Sequence, residues 1–474
     1  MASAFNFGIL AAMNQGLRKG RIVAGLGLFT LVLSVSFVAP AADSLDWRKD
    51  KDSVDADISS WSLLKTLEQI SEATGWQVYV EPGTQRKVST KFKDRPRDRA
   101  LDLLLGNLGR VLLPGTNGGP PRFLVFRNTQ KDATRLIRGK RKAIPNELIV
   151  RMKKGKNVDD LAKEIGAKVL GKSEAMNAGR LQFKDEAAAD KAREALLDNE
   201  DVTGVDQNFA VTTQPTLEGM GTGSAGSLNL RPLKDGDPLV VALIDTAVQW
   251  QGNEYDSFLL PALSVTGEVN TPTDKPTHGT SMFEVILKGI DAFTPDGSTT
   301  PIKIRPVNVF GPNGESTSFE VAEGILLALN SEPRPSFVNL SLGSYGHSSF
   351  VSDVIQQGTD AGVGFAAAAG NTPTAEPMYP AADPNVIGVT AGPAQYTLAP
   401  WANSSPSNDA LAPATWKIPF NGKTWIIEGT SPAAAGLTGG VMALMASGQT
   451  RAQAVAAMLN TFALFPPPGP TPSR

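Results

Sequence analysis

The sequence contains no cysteine and only two histidines among its 474 residues. The absence of cysteine excludes disulfide bonds, thiol catalysis and thiolate metal sites. Two histidines leave almost no room for a multi-histidine metal site. Net charge is also low, at −2, and gives no overall reason to expect a nucleic acid as partner. A hydrophobic content of 41% with 46 glycines and 34 prolines instead indicates a globular chain of several domains.

Charge is distributed unevenly along the chain. Residues 1–214 hold 34 Lys and Arg against 26 Asp and Glu, a net of +8, whereas residues 215–474 hold 11 against 21, a net of −10. Opposite net charge is what two parts of one chain carry when they dock on each other. The two parts are therefore predicted to have different roles.

The first 41 residues have the pattern of a secretory signal peptide. Three basic residues between positions 18 and 21 precede an apolar run from Ile22 to Val38, and the small residues Ala39-Pro40-Ala41 follow. An uncleaved membrane anchor is the alternative, because about 17 apolar residues are marginally long enough to span a bilayer. Either interpretation predicts export of the rest of the chain, to the periplasm or the extracellular space.

Residues 53–130 are predicted to form a small α+β domain. The segments S-W-S-L-L-K-T-L-E-Q-I-S-E-A-T-G-W and R-A-L-D-L-L-L have helical spacing of apolar residues, with strand-like runs between and after them. The pattern resembles the short N-terminal domain of secretins and TonB-dependent proteins, which implies contact with an envelope protein partner. A generic α+β spacer is the alternative.

Two further segments precede the acidic half of the chain. Residues 131–144 are predicted to be a solvated basic linker rather than a nucleic-acid site. Residues 145–209 contain two consecutive β-α-β units, the ferredoxin-like arrangement. Beginning with P-N-E-L-I-V-R-M and ending with D-V-T-G-V-D-Q-N, they resemble the propeptide of subtilisin-like proteases, which implies an intramolecular inhibitor. Residues 210–231, rich in Gly, Ser and Thr, are predicted to be a linker with the processing site.

Residues 232–462 alternate apolar strand-like runs with helical segments. This alternation predicts an α/β fold with a mostly parallel sheet and helices on both faces, preceded by the two small α+β domains. In such sheets, functional residues gather at the carboxyl ends of the strands. Residues 463–474 are proline-rich and are predicted to be a disordered tail.

Four polar residues follow or begin predicted elements in this region. Asp245 ends a strand in V-V-A-L-I-D-T-A, His278 begins a helix in T-H-G-T, and Asn371 follows a buried strand in G-F-A-A-A-A-G-N. Ser431 lies in E-G-T-S-P, where a strand turns into a helix of small residues. Each alone is typical of a turn or a helix cap. The chain order Asp, His, Ser is that of the subtilisin triad and differs from other triad enzymes.

With V-N-L-S-L-G at 338–343 and Y-P-A-A-D-P-N-V-I-G-V-T at 379–390, the region resembles the subtilisin-like serine proteases, the subtilases. The resemblance implies a zymogen-type serine endopeptidase acting on proteins or peptides, with no cofactor required for its chemistry. It implies that Ser431 is the nucleophile, His278 the base, Asp245 its orienting carboxylate and Asn371 an oxyanion donor. By the same resemblance, the first specificity pocket is lined by Ser341, Leu342, Gly343, Ala368, Ala369 and Gly370.

The motifs depart from the family pattern in places, and two other functions compete. Ala247 stands where the family has glycine, and Ser281, Met282 and Phe283 replace the usual residues after H-G-T. None of these changes removes a reacting group. The alternatives are a catalytically inactive binding or scaffold protein of the envelope, and a hydrolase of another acyl substrate such as an ester. The sequence assigns no structural calcium site.

Overall fold

The computed structural model describes residues 43–48, 52–82, 84–114, 121–137, 143–213, 217–220, 224–233 and 236–464. The predicted signal peptide, residues 1–41, and all but the first two residues of the predicted tail, 463–474, lie outside these ranges. Among the helices that are described, none combines the length and the apolar composition needed to cross a bilayer.

The N-terminal domain, residues 44–137, is an α+β unit with two small sheets, in the orders β1-β2-β4 and β5-β6-β3-β7. Its helix α1 begins where Ser62 Oγ accepts a hydrogen bond from Lys65 N at 3.1 Å, and it ends at Gly75, whose φ of 76° closes the helix. Its elements are β1 Ser44–Arg48, β2 Ser53–Ser62, α1 Leu63–Thr74, β3 Gln77–Val80, β4 Lys87–Pro96, α2 Arg97–Leu105, β5 Gly109–Leu113, β6 Arg122–Phe126 and β7 Arg135–Ile137.

Both ends of this domain differ from the prediction. The domain begins earlier than residue 53, because β1 pairs antiparallel with β2. It also ends later than residue 130, because β7 pairs antiparallel with β3 inside the predicted basic linker, 131–144. Ile137 is buried in the domain core, which gives this basic segment an apolar anchor. Residues 131–137 of the predicted linker therefore belong to this domain, whereas residues 143–144 begin the first strand of the next one.

The middle domain, residues 143–213, has the predicted ferredoxin-like arrangement, with the antiparallel strand order β11-β8-β10-β9. Leu148 and Val150 on β8 pack under its two helices. Ile149, on the opposite face of the same strand, packs in a core shared with the C-terminal domain. The elements are β8 Ala143–Met152, α3 Val158–Glu164, β9 Lys168–Ser173, β10 Ala178–Gln182, α4 Glu186–Leu196 and β11 Val202–Val211.

The predicted linker, residues 210–231, contains strand structure. Strand β11 extends to Val211, β12 spans Leu217–Met220, and β13 spans Arg231–Pro232. The partner of β12 lies about 200 residues further along the chain, so the Gly- and Thr-rich local sequence gives no sign of the pairing. Within the described ranges, this segment follows the surface of the C-terminal domain as paired strand as well as loop.

The C-terminal domain, residues 224–464, is built on a seven-stranded parallel sheet with the order β15-β17-β14-β19-β20-β21-β22. Its elements after β13 are β14 Leu239–Asp245, β15 Leu263–Ser264, α5 His278–Ala292, β16 Thr299–Thr300, β17 Ile302–Asn308, β18 Ser316–Thr317, α6 Ser318–Leu329, β19 Phe337–Leu340, α7 Ser349–Asp360, β20 Gly364–Ala368, β21 Ile387–Gly392, β22 Ala410–Pro413, β23 Thr415–Phe420, β24 Lys423–Glu428, α8 Thr430–Ala446 and α9 Arg451–Thr461.

Helices cover both faces of this sheet, as the continuous apolar strands predict. On β14, Val241 and Leu243 face a core built with α5, α8 and α9, whereas Ala242 and Ile244 face a core built with α6 and α7. The alternation follows from the two-residue period of a strand, which needs apolar side chains in both directions when both faces are buried. The carboxyl ends of the central strands are left to carry polar residues.

Helices α5 and α8 pack against each other through glycine. A methyl group on Gly289 would overlap the backbone oxygen of Gly436, and one on Gly439 would overlap the backbone oxygen of Ile286. The two backbones can approach this closely only because neither glycine has a side chain. The contact fixes the relative position of the two helices, and therefore of the residues with which each begins.

We predict that Gly439→Ala lowers the free energy of unfolding by about 1–3 kcal/mol, the usual cost of overpacking a dense core. Chemical denaturation measures the change. Gly311→Ala is the matched control, because the nearest atom to its added methyl group is the Glu315 oxygen at 3.6 Å, an ordinary contact. Equal stability of the two variants would contradict the tight helix crossing.

Candidate active site

Asp245 and His278 form a hydrogen-bonded pair at the carboxyl end of β14. The imidazole Nδ1 lies 2.7 Å from Asp245 Oδ1 and 3.0 Å from Oδ2. A carboxylate can only accept, so Nδ1 carries the proton and the neutral ring has its basic lone pair on Nε2. Helix α5 holds the histidine in place, because Thr277 caps the helix by accepting a hydrogen bond from Thr280 N at 3.1 Å.

Ser431 lies in the first turn of α8 and is fully buried. Its hydroxyl donates to the Ser341 backbone oxygen at 3.2 Å, and the Ser341 hydroxyl donates in return to the Ser431 backbone oxygen at 2.9 Å. Pro432 follows in the first turn, where a missing N–H group costs no helical hydrogen bond. The serine is therefore tied to the end of β19 and keeps its own backbone N–H.

Asn371 contacts the residue before this serine. Its Oδ1 accepts hydrogen bonds from Thr430 N and from Thr430 Oγ1, both at 2.9 Å, and Thr430 Oγ1 accepts from Gly370 N at 3.0 Å. Because a backbone N–H can only donate, the oxygen end of the amide must face Thr430. The Nδ2 end of the amide therefore faces away from Thr430. The sequence analysis did not identify Thr430, although it lies within the G-T-S motif.

A second buried polar chain supports Ser341 and was also missed. Asn339 Nδ2 donates to Ser341 Oγ at 2.9 Å, and Thr438 Oγ1 on α8 donates to Asn339 Oδ1 at 3.1 Å. Asn339, Ser341 and Thr438 are fully buried. The sequence did contain a signal for this chain of hydrogen bonds. Asn339 is a polar residue within an apolar strand, and Thr438 is a polar residue within a helix of small residues.

The predicted pocket residues end two neighbouring strands, Ser341–Gly343 after β19 and Ala368–Gly370 at β20. The backbone of Gly343 is engaged by the middle domain. Thr212 N donates to the Gly343 oxygen at 3.1 Å, and Gly343 N donates to the Thr212 oxygen at 3.0 Å. One residue earlier, Val211 pairs with Ser316 of β18. The end of the middle domain thus lies as an antiparallel strand between two backbone edges of the C-terminal domain.

The chain also pairs with the strand that leads into Ser431. Strand β12 is antiparallel to β24, with Leu217 opposite Glu428 and Met220 opposite Trp425. Glu428 ends β24 three residues before Ser431. The described chain before the gap at 214–216 therefore pairs with Gly343, two residues after Ser341, and the chain after it pairs with Glu428, three residues before Ser431.

Two residues of β11 cap helices of the C-terminal domain. Asp206 Oδ2 accepts from Ser348 Oγ, Ser349 Oγ and Phe350 N at the start of α7, each at 2.9 Å. Asn208 Oδ1 accepts from Ser318 Oγ at 2.9 Å and Phe319 N at 3.2 Å at the start of α6. A carboxylate at a helix N-terminus is favoured by the helix dipole. The middle domain thus supplies hydrogen-bond acceptors at the N-termini of these two helices.

A carboxyl group is buried on α5, six residues beyond His278. Glu284 is fully buried, and its Oε1 accepts one hydrogen bond from Gln251 Nε2 at 2.9 Å. Its Oε2 contacts no hydrogen-bond donor in the described structure. Burial raises the pKa of Glu284 to about 7, against the smaller lowering effects of Gln251 and Lys288. The group is therefore protonated over the acid half of the physiological range.

Residues 236–467 match the subtilase family, and residues 130–208 match the fervidolysin N-terminal prodomain. The predicted resemblances of the C-terminal domain to subtilases and of the middle domain to a subtilase propeptide are confirmed, as is the subtilisin-like α/β fold. The resemblance of residues 53–130 to the secretin/TonB short N-terminal domain stays a prediction.

Several curated proteins are similar to the subtilase domain. A thermophilic serine proteinase of Bacillus sp. (strain AK1) is 27% identical over 174 residues, which cover 36% of this chain and 43% of that protein. Thermitase of Thermoactinomyces vulgaris is 25% identical over 232 residues, 48% of this chain and 82% of thermitase. The solved structure of fervidolysin from Fervidobacterium pennivorans, described as a keratinolytic enzyme related to subtilisin, aligns with a TM-score of 0.49 at 18% identity over 65% of this chain and 55% of that one. The chain thus matches less than half the length of the Bacillus sp. (strain AK1) proteinase.

We predict that Glu284→Gln stabilises the subtilase domain at alkaline but not at acid pH. The carboxyl pKa rises from 4.5 to about 7 on folding, so the folded state binds the proton more tightly and loses stability as pH rises through this interval. Near pH 8 the wild type is weakened by about 3 kcal/mol, and glutamine removes this cost. Denaturation at pH 4.5 and pH 8 measures the difference. Glu268→Gln, on an exposed loop, is the matched control. A gain that does not change between the two pH values would contradict the assignment.

Proposed function

We propose that the protein is an exported serine endopeptidase of subtilisin type, made as a zymogen. The observation that carries the proposal is the bonded pair of Asp245 and His278, in a domain that matches the subtilase family and has Ser431 in the first turn of α8. The relatives named as proteinases give independent support for hydrolysis of peptide bonds. The substrates are proteins or peptides.

In the proposed reaction, Ser431 Oγ attacks the carbonyl carbon of the scissile bond while His278 Nε2 accepts its proton. The His278 imidazolium then gives this proton to the leaving amine. Asp245 keeps Nδ1 protonated and stabilises the imidazolium by charge. Water repeats the sequence on the acyl-enzyme, with His278 again as the base, and releases the new carboxyl end. These groups supply every proton transfer, so we propose no cofactor for the chemistry.

The negative charge of the tetrahedral intermediate is proposed to be stabilised by two donors. They are the Asn371 Nδ2 group and the Ser431 backbone N–H. The fixed orientation of Asn371 supports this role, since Thr430 holds Oδ1 and directs Nδ2 away from itself. A donor fixed before the reaction needs no reorganisation when the charge develops, which is why such donors contribute strongly to rate.

The middle domain is proposed to be the inhibitory propeptide, cut from the subtilase domain by the enzyme itself. Its last strand occupies the backbone edges at Ser316 and Gly343, where a substrate chain would bind. The pairings of Thr212 with Gly343 and of Leu217 with Glu428 narrow the proposed cleavage to the bonds between Thr213 and Leu217. Asp206 and Asn208 would keep the cut propeptide bound as an inhibitor.

Export and envelope contact complete the proposal and rest on the sequence alone. The signal-like pattern of residues 1–41 supports a periplasmic or extracellular location, with an N-terminal anchor as the alternative. The resemblance of residues 53–130 supports contact with an envelope protein.

We predict that Ser431→Ala abolishes both peptidase activity and self-processing, because the other hydroxyl of the G-T-S turn, Thr430 Oγ1, is bonded to Asn371 and Gly370. N-terminal sequencing of purified wild type should place the new end between residues 214 and 217, whereas the variant should remain full length. Ser447→Ala, on the exposed C-cap of α8, is the control and should behave as wild type.

A fluorophosphonate labels Ser431 if the triad is active, and comparison of casein with small esters separates a peptidase from another acyl hydrolase. Processing of the Ser431→Ala protein at the same position without added protease would refute self-cleavage.

We predict that Asn371→Ala lowers kcat by about 10²–10³ with little change in KM, as for the loss of one oxyanion donor. Asn371→Asp separates donation from structure, because aspartate keeps an acceptor for Thr430 but has no N–H to donate. It should lose as much kcat as alanine. Asn385→Ala, whose Nδ2 binds Gln356 at the surface, is the control. An Asp variant with wild-type kcat would assign Asn371 to positioning Thr430 alone.

A further inference from the structure

The N-terminal domain binds the middle domain through a buried ion pair. The carboxylate of Glu68 on α1 contacts the guanidinium of Arg193 on α4, and the two side chains are 1% and 10% exposed. Charges taken out of water are costly unless each keeps its partner, and the loss of one partner is more costly than the loss of both. The pair therefore favours a fixed contact between the two domains over a loose tether.

A second contact and a shared cavity extend this interface. Gln85 Nε2 donates to Asp198 Oδ2, just beyond α4, at 3.2 Å. A cavity of about 520 Å³ lies between the two domains, with Leu64 and Leu67 of α1 on one wall and Ala195 of α4 on the other. The face formed by α1 and the loop before β4 is thus directed at α4 of the middle domain.

The N-terminal domain also reaches the subtilase domain. Glu72 and Trp76, at the end of α1 and just beyond it, line a cleft of about 440 Å³ whose other wall includes His347 and Tyr379. His347 packs edge-on against the Tyr379 ring at 4.6 Å. Tyr379 is bonded to the segment that continues from the proposed specificity pocket. Ser344, the residue after Gly343, donates its backbone N–H to the Tyr379 oxygen at 2.8 Å.

The same loop is held from the other side by the middle domain. The ring of Phe209 lies directly against Gly346. Arg193 shares a cavity of about 220 Å³ with Asp206, Phe209 and His347. Arg193, which pairs with the N-terminal domain, and Asp206, which caps a helix of the subtilase domain, therefore line the same cavity.

From this arrangement, and resting on the zymogen mechanism proposed above, we infer that the N-terminal domain is part of the inhibitor. Residues 44–213 leave the subtilase domain together after cleavage, and the position of Glu72 and Trp76 across the cleft from His347 slows their departure. Two linked contacts bind more tightly than either alone, because the second forms at a high effective concentration. The interaction surface on α1 thus takes the protein's own middle domain as its partner.

The test compares full-length wild type with Glu68→Ala. Gel electrophoresis follows the first cleavage, and hydrolysis of a fluorogenic peptide follows the appearance of activity. We expect the first cleavage at the wild-type rate and an inhibited interval that is about tenfold shorter, because the N-terminal domain no longer holds the middle domain in place. Asp57→Ala removes a surface carboxylate elsewhere in the N-terminal domain and should leave the interval unchanged.

Two further variants test the contact without leaving an unpaired buried charge. Glu68→Leu combined with Arg193→Leu should restore most of the interval, since packing is kept and no lone charge is buried. Gln85→Glu places a carboxylate against Asp198 at an exposed site and should shorten the interval at low salt but not at high salt. Wild-type intervals in Glu68→Ala and Gln85→Glu would overturn the inference.

Failure of the zymogen proposal is distinguishable from failure of this inference. A wild type that is never cut refutes the zymogen proposal and the joint release of residues 44–213, but not the inhibitory contact of the N-terminal domain. The inference is then tested by the rate at which a fluorophosphonate labels Ser431 in the intact chain. Faster labelling of Glu68→Ala than of Asp57→Ala supports the contact, and equal rates refute it.

Discussion

The site depends on the packing of α5 against α8. His278 begins one helix and Ser431 lies in the first turn of the other, so the distance between their side chains is set by how closely the two backbones approach. Gly289 and Gly439 make that approach possible. Because interiors are dense, a displacement of one helix is transmitted to its end. The small residues of α8 are therefore what allows the first turns of the two helices to hold His278 and Ser431 at a fixed separation.

The sequence supplied candidates for the reacting groups and missed residues that contact them. Asp245, His278 and Ser431 were proposed because each ends or begins an element within a motif, and the order of the three is distinctive. Thr430 and Asn339 carry no such pattern. Their roles depend on contacts with Asn371 and Thr438, far away in sequence, and only the folded chain brings these residues together.

The same distinction applies to the fold. Continuous apolar strands and helical periodicity predicted the layered C-terminal domain, because a strand that is buried on both faces needs apolar residues at successive positions. Strands β7 and β12 were predicted as linker, since short strands at a sheet edge are defined by a distant partner rather than by their own residues. Asp206 and Asn208 are two residues apart and therefore lie on the same face of β11. From that face they bind the N-termini of two helices.

The strand that the middle domain inserts between Ser316 and Gly343 has a consequence for any chain that takes its place. Two backbone edges that are bridged by one strand accept only an extended segment with free N–H and C=O groups. In a helix or in a central strand of a sheet, these N–H and C=O groups are already hydrogen-bonded. Such a segment must first unfold locally, at a free-energy cost that varies along a folded protein. The sites at which a folded protein would be cut are then chosen by its own local stability as much as by its sequence.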